Sequence, residues 1–357
     1  MAMTRRELGA AAMGAAAAAG TVGIGMTGAA SAASSASSGD GLLPVPAQQI
    51  PVPKTVSPEA QAFIRAAQER VAATQGGKST PPEQAAGMGS PDMLRQAASR
   101  FKGKSETIPL GPDAVLYRVV PAARTGRRTQ VAFVDIHGGG FISGGGEINL
   151  LRAQIRAAQW GVEIYSIDYR LLPQHTYPAP LDDCMAAWRK ILANHKPADL
   201  VLCGSSAGGN LAAATLLRGR DEGLPMPAGL VLHTPVMDML GEGDSRKTNK
   251  YLDLVLRDMG DARAYGEGQD QSHPYISPVH GDFAKGWPPT LLTTGTRDLL
   301  LSDTVRTHRA LRRANVQADL LVTEAGSHGG FMGRAPEDME ILAETLKFSM
   351  ARWGLEG

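Results

Sequence analysis

"LVLCGSSAGGNLAAA", residues Leu200 to Ala214, passes from an apolar run into an alanine-rich one through three glycines and two serines. The first run has the length of a strand and the second the composition of a helix, so the glycines mark a sharp reversal between them. Gly204-Ser205-Ser206-Ala207-Gly208 fits G-x-S-x-G in the strand-turn-helix context that gives this pattern meaning. Ser206 then stands on the turn in strained dihedrals with its hydroxyl pointing outward, and the flanking glycines leave room where a Cβ would collide. The helix that begins there carries unpaired N–H groups, so the Ala207 N–H faces any negative oxygen that develops beside Ser206. Ser205, one position earlier, is the weaker candidate.

The same rhythm continues on both sides. Strands are expected at Val115 to Val120, Val131 to Ile136, Val162 to Ile167, Leu200 to Cys203, Leu230 to His233, Thr290 to Thr294 and Ala318 to Val322. Helical patterns fall between or after them, at about Leu150 to Gln159, Leu181 to Asn194, Ala207 to Arg218, Asp303 to Ala314 and Glu337 to Trp353. Strands alternating with helices predict an α/β fold with a mostly parallel central sheet flanked by helices. One interval, Asp238 to Pro288, is far longer than an ordinary connection, and long insertions of this kind are usually functional. It is expected over the carboxyl ends of the strands, where open α/β sheets bind ligands. Ahead of the sheet, a Pro-rich strap from Gly41 leads to a helix capped by Ser57 with Pro58 at its first position, and "PDMLRQAASRF" gives a second short helix; the pair would make a lid.

Three further places bear on Ser206. "DIHGGGFISGG", Asp135 to Gly145, directly follows a strand, yet no Lys stands in P-loop spacing and no helix with an acidic ribose partner follows, so a nucleotide site is a poor reading. Consecutive glycines instead let the N–H groups of Gly138 and Gly139 turn into a cavity and bind an oxyanion. His328, after the last strand in "TEAGSHGGFMG", is the expected base, because imidazole exchanges a proton with a hydroxyl near neutral pH. The seven other histidines compete: His137 would brace the glycine loop, His233 would be core or pocket wall, His273 and His280 fall in the insertion, and His175, His195 and His308 read as surface. Asp298, just past a strand end in "LLTTGTRDLLLSD", would orient the imidazole, while its rival Asp303 is better explained as a charge in a helix's first turn.

Composition narrows the partner. Lys+Arg 36 against Asp+Glu 35 leaves a formal charge of +1 over 357 residues, so no global field draws in nucleic acid or an anionic membrane. Residues 1–39 carry the pair Arg5 and Arg6, a charge-free Ala/Gly stretch and small residues at Ala30-Ser31-Ala32, a pattern that reads as a twin-arginine-like export signal followed by a low-complexity tail. Ala and Gly transfer too little energy to hold a helix in lipid, so no stable membrane insertion is expected once the signal is removed. The two cysteines, Cys184 and Cys203, read as buried thiols, and neither spacing nor His neighbours suggest a metal.

At these residues the chain resembles the hormone-sensitive-lipase-like branch of the α/β-hydrolase carboxylesterases. The resemblance runs from about Val115 to Trp353 and rests on "HGGG" at His137 to Gly140, "DYRLLPQHTYPAPLDD" at Asp168 to Asp183, "GSSAGG" at Gly204 to Gly209, "GTRDLLLSD" at Gly295 to Asp303 and "SHGGF" at Ser327 to Phe331. It implies Ser206 as nucleophile, Asp298 and His328 as triad partners, and Gly138, Gly139 and Ala207 as oxyanion donors. It also implies a helical cap from about 58–101 and 238–285 on a domain spanning 40–357. Two departures stand out: Ser205 occupies a place where the family usually has Asp, and Gly330 intervenes in the usual His-Gly-Phe.

The expected function is an exported, periplasmic or secreted serine carboxylesterase. It would hydrolyse short- to medium-chain esters through an acyl-enzyme, with a small-molecule ester and water as partners and with no cofactor. An amidase or deacetylase on the same fold, or a non-catalytic binding module, are the rival readings. An exposed last strand offers an edge along which two subunits could pair.

Overall fold

A computed structural model describes Val45 and residues 49–73 and 91–355. The export segment expected over 1–39 lies outside the described residues, as does the stretch between the first two helices. The chain divides into two compact units at Ile50, and the second, Pro51–Gly357, holds every element below.

Eight strands form one sheet: β1 (Gly103–Gly111), β2 (Ala114–Pro121), β3 (Ala132–Ile136), β4 (Glu163–Asp168), β5 (Leu200–Ser205), β6 (Gly229–His233), β7 (Thr290–Gly295) and β8 (Ala318–Thr323). Their spatial order is β1-β2-β4-β3-β5-β6-β7-β8, with β1, β2 and β4 antiparallel neighbours and the rest parallel. The helices are α1 (Pro58–Ala73), α2 (Pro91–Ala98), α3 (Glu147–Trp160), α4 (Ala179–Leu192), α5 (Ala207–Asp221), the one-turn α6 (Ser245–Thr248), α7 (Leu301–Arg313) and α8 (Pro336–Arg352).

The central strands read as continuous apolar runs because both of their faces are buried. Phe133, Val201, Val231 and Leu291 pack on one side with Ala153, Ala157 and Trp160 of α3 and Met350 of α8. Val134, Leu202, Leu232 and Leu292 turn to the other, against Leu181 and Trp188 of α4 and Leu211 and Leu216 of α5. Cys184 and Cys203 are free and buried in these two separate cores, on opposite faces of the sheet.

Strand β1 lacks the apolar signal that marks the other seven. "GKSETIPLG" is largely exposed and is held as a strand by its pairing with β2 across the two-residue turn Pro112-Asp113, where Asp113 adopts φ 60°. The insertion also departs from the helical cap expected there. It holds α6 and short 3₁₀ turns at Gly260–Gly266 and Pro278–His280. Its many Gly, Pro and Asp residues offer the backbone turns in place of helix. Among the described residues no helix is long and apolar enough to cross a membrane.

Helix α1 starts at Ser57, whose hydroxyl accepts the Ala60 N–H (3.1 Å) and donates to Glu337 (2.8 Å) at the start of α8. Its buried face of Ala60, Phe63 and Ile64 packs on Ala325 and Phe331 of the loop between β8 and α8, together with Leu254 and Val255 of the insertion. Phe63 meets Phe331 edge to face at 5.9 Å. Helix α2 lies instead against α3, where Arg95 pairs with Glu147 at 2.7 Å.

Asp303 does more than place a charge in the first turn of α7. It is fully buried, and its carboxylate accepts the N–H groups of Met237 (2.9 Å) and Asp238 (3.0 Å) and pairs with Arg246 (2.8 Å), fixing the root of the insertion. Asp303→Ala leaves two buried amides without an acceptor and takes the carboxylate from a buried guanidinium, and breaking such a pair costs about 3–5 kcal/mol. Urea unfolding should show a loss in that range, and a loss below about 1 kcal/mol would contradict this account of the insertion's anchor.

Candidate active site

The strand-turn-helix at 200–221 is a tight elbow. Ser206 sits between β5 and α5 at φ 55° and ψ −119°, a conformation that L residues adopt only when the surroundings force it. Two close approaches show what forces it. A Cβ at Gly204 would lie 2.1 Å from the Gly208 carbonyl oxygen, and one at Gly208 would lie 2.1 Å from that of Ile136. Only glycine lets β5, α5 and the end of β3 come this near, which drives Ser206 out of the turn.

Its hydroxyl meets His328. The Oγ of Ser206 lies 2.8 Å from Nε2 of the imidazole, and Nδ1 lies 3.1 Å from Oδ1 of Asp298. Asp298 is fully buried and is itself held: Oδ2 accepts the Thr294 hydroxyl at 2.8 Å and Oδ1 accepts the Leu300 N–H at 2.9 Å. The structure thus brings together three residues drawn from the ends of β5, β7 and β8. The extra Gly330 is absorbed by a turn in which its N–H donates to the Ser327 carbonyl at 2.8 Å, with Gly329 and Gly330 at φ 74° and 70°. The turn leaves His328 facing the serine.

The glycine loop lies beside Ser206. A Cβ at Gly138 would fall 3.1 Å from the Ser206 Cβ, so Gly138 adjoins Ser206, after which α5 begins at Ala207; Gly139 takes φ 116° where the loop turns back toward Ser143. His137 braces the loop as expected from its place: its ring stacks on Tyr169 at 4.3 Å and its carbonyl accepts the Tyr169 hydroxyl at 2.9 Å. Asp168 ties down the far end by accepting the Gly146 N–H (2.7 Å) and the Tyr117 hydroxyl (3.2 Å).

The insertion touches all three site loops. Tyr265 stacks on Phe141 of the glycine loop at 4.0 Å, Asn249 donates to the Asp298 carbonyl at 2.8 Å, and Asp253 accepts the His328 N–H at 3.1 Å. None of these three residues is marked by a sequence pattern, because each acts on a neighbour's backbone or ring rather than on a reacting atom. Of the other histidines, His233 is half-buried at the end of β6, bonded to Thr293 at 2.9 Å. His195, read as surface from sequence, has a side chain only 9% exposed, facing Glu163 at 3.7 Å, because the short turn after α4 folds it back on β4. His175 and His308 are half-buried too.

Electrostatics prepare the imidazole to take a proton. Burial works against its charged form, but the charge and hydrogen bond of Asp298, joined by the charge of Asp253, outweigh it, so His328 titrates above the usual histidine value. A hydroxyl, a base and an orienting carboxylate, with backbone donors beside the hydroxyl, form an arrangement suited to acyl transfer.

Comparison with known proteins gives the family. Residues 133–332 match the family model described as the α/β-hydrolase fold. An acetyl-hydrolase of Streptomyces hygroscopicus is 34% identical over 210 residues, covering 57% of this chain and 67% of that protein. The crystal structure of an esterase superimposes with a TM-score of 0.74 at 32% identity, over 87% of this chain and 99% of the other. That of a hormone-sensitive lipase from a metagenome library gives 0.69 at 27% identity, over 82% and 98%.

The raised titration of His328 has a measurable sign. Only the neutral imidazole can accept the Ser206 proton, so the rate of covalent modification of Ser206 by a fluorophosphonate should fall as pH drops through the His328 value. The midpoint should lie above about 6.5, the ordinary histidine value. A midpoint well below that would show that the two carboxylates do not act on this ring.

Proposed function

The chain belongs to the α/β-hydrolase family, in its bacterial esterase branch similar to hormone-sensitive lipase, and from that premise we propose that it cleaves esters through an acyl-enzyme on Ser206. It is a carboxylic ester hydrolase. In the proposed route the Ser206 oxygen bonds to the ester carbonyl carbon as its proton passes to Nε2 of His328. The carbonyl oxygen becomes an anion facing the N–H groups of Gly138, Gly139 and Ala207. As the intermediate collapses, the alkoxy leaving group takes the proton from the imidazolium and departs as an alcohol. Water then gives a proton to His328 and attacks the acyl carbon, and the same donors hold the second anion until Ser206 regains its proton and the acid leaves.

The observation that carries this reading is the continuous chain from Ser206 through His328 to Asp298, at 2.8 and 3.1 Å. A non-catalytic receptor has no use for it. The site's flexible, glycine-rich wall supports short to medium acyl groups, as does the likeness to an acetyl-hydrolase. Helix α1 and the insertion, which meet over the His328 loop, would serve as the cap that limits acyl length. The arginine pair and charge-free stretch near the amino terminus support export.

Ser206→Ala should lower kcat on p-nitrophenyl acetate by about 10⁴-fold or more while leaving the fold intact by circular dichroism. Retained turnover would refute the nucleophile. Across acyl lengths, acetyl to octanoyl esters should outpace palmitoyl, and a palmitate optimum would overturn the proposed substrate class. Replacing Arg5 and Arg6 together with lysine should leave activity in the cytoplasmic fraction of the producing cell, whereas unchanged export would exclude the twin-arginine route.

A further inference from the structure

Asp253 is a fully buried carboxylate in the middle of the insertion, and the reaction described above makes no use of it. Its Oδ1 accepts the N–H groups of Val255 and Leu256, both at 2.9 Å, which caps the turn in which it sits. An aspartate serving only that turn would need nothing more. Its Oδ2 instead leaves the turn and accepts the N–H of Leu299 at 2.8 Å and that of His328 at 3.1 Å. Leu299 directly follows Asp298. One oxygen therefore bridges the loop of the orienting carboxylate and the main chain of the base.

The bonding also bears on its charge state. Both oxygens already receive two N–H donors, so a proton on either would have to displace one, and four such donors favour the anion. Burial, and after it the neighbouring Asp298, outweigh the charge of His328 and the N–H bonds and push the Asp253 carboxyl up to about 6, so it is an anion at neutral pH and takes a proton in the acid range. The charges that act on the imidazole are those of Asp298, which bonds the ring, of Asp253 and, from the root of the insertion, of Arg246, whose guanidinium is paired with Asp303. Two carboxylates thus act on one ring.

We propose that Asp253 is a positioning residue of the ester hydrolysis: its carboxylate ties the Asp298 loop to the His328 main chain and sets a second negative charge against the imidazolium that forms when Ser206 releases its proton. The proposal rests on the reading of Ser206, His328 and Asp298 as the reacting set. It makes the insertion part of the catalytic apparatus as well as a cover for the substrate, since the group in question enters from between two other loops.

The test is the pH dependence of kcat/KM in Asp253→Asn, which keeps size and removes charge. The acid limb should move to lower pH by roughly one unit, because His328 loses one of the charges that raise it. The kcat should fall about tenfold with KM little changed, since the loss falls on the charged transition state. Asp253→Glu, which restores the charge, should return the limb toward its original place. An acid limb unmoved in Asp253→Asn, whatever its kcat, overturns the proposal. Should that variant fail to fold, NMR titration of the unaltered protein decides: the His328 imidazole should titrate in two steps, one shared with the Asp253 carboxyl signal. A single step with that carboxyl silent also overturns it. Fluorophosphonate labelling separates the two readings. Labelling at Ser206 with an unmoved limb removes Asp253 alone, and no labelling of the unaltered protein removes the nucleophile itself.

Discussion

A single imidazole must reach across the sheet, and the architecture is arranged around that span. Ser206 stands at the end of β5 and Asp298 just past β7, two strands away, which at about 4.8 Å per strand is roughly 10 Å. Neither side chain can cross that gap. His328 closes it from the far side: its loop leaves β8, passes back over the end of β7, and lets the ring bond Ser206 through one nitrogen and Asp298 through the other. Parallel strands make this possible because their carboxyl ends lie on one edge. The tight turn at Ser327 to Gly330 then aims the ring at the serine instead of at solvent.

Holding three loops in that register is the work of the insertion. Its root is fixed by Asp303 and Arg246, its middle by Asn249 and Asp253 on the Asp298 and His328 loops, and its later part by Tyr265 on Phe141 of the glycine loop. Helix α1 closes over the same region through Phe63 and Ile64. These contacts give a path to a segment of nearly fifty residues with little regular structure: the buried Asp238 and Asp253 cap its turns, and Tyr265 and Phe283 pack in the core, while Tyr251 stays exposed. Between strands β6 and β7 it takes the place that a helix fills elsewhere in the fold.

Some of this was legible in the sequence and some was not, for physical reasons. Seven strands and the main helices follow from burial, because a two-sided strand must be apolar throughout and a helix on its face must be apolar along one stripe. The elbow at Ser206 and the glycine loop were legible because close backbone approach can be met only by glycine, which leaves a mark in the residue types. Strand β1 was not, since pairing with β2 supplies its backbone bonds without demanding buried side chains. Asp253 was hidden for the converse reason. It recognises the N–H groups of Val255, Leu256, Leu299 and His328, and an amide looks the same whatever side chain it carries. The buried role of Asp303 was masked by a simpler account, a charge in a helix's first turn.

Two histidines near Ser206 differ in what stands against their rings. The carbonyl of His233 accepts the Ser206 N–H at 2.9 Å, so this residue also adjoins the serine. Burial, with Arg156 adding to it, drops its titration to about 4, and its ring bonds only neutral hydroxyls, of Thr293 at 2.9 Å and Thr345 at 3.4 Å. Such a ring stays neutral throughout the physiological range and cannot store a proton. His328 is buried, yet it titrates above the ordinary value because the Asp298 carboxylate stands against its ring where His233 has a hydroxyl, with the charge of Asp253 adding to it. Proximity to Ser206 is therefore common to both rings. The capacity to hold its proton comes from the charge placed behind the imidazole, and a second carboxylate there strengthens the one property that separates the base from its neighbour.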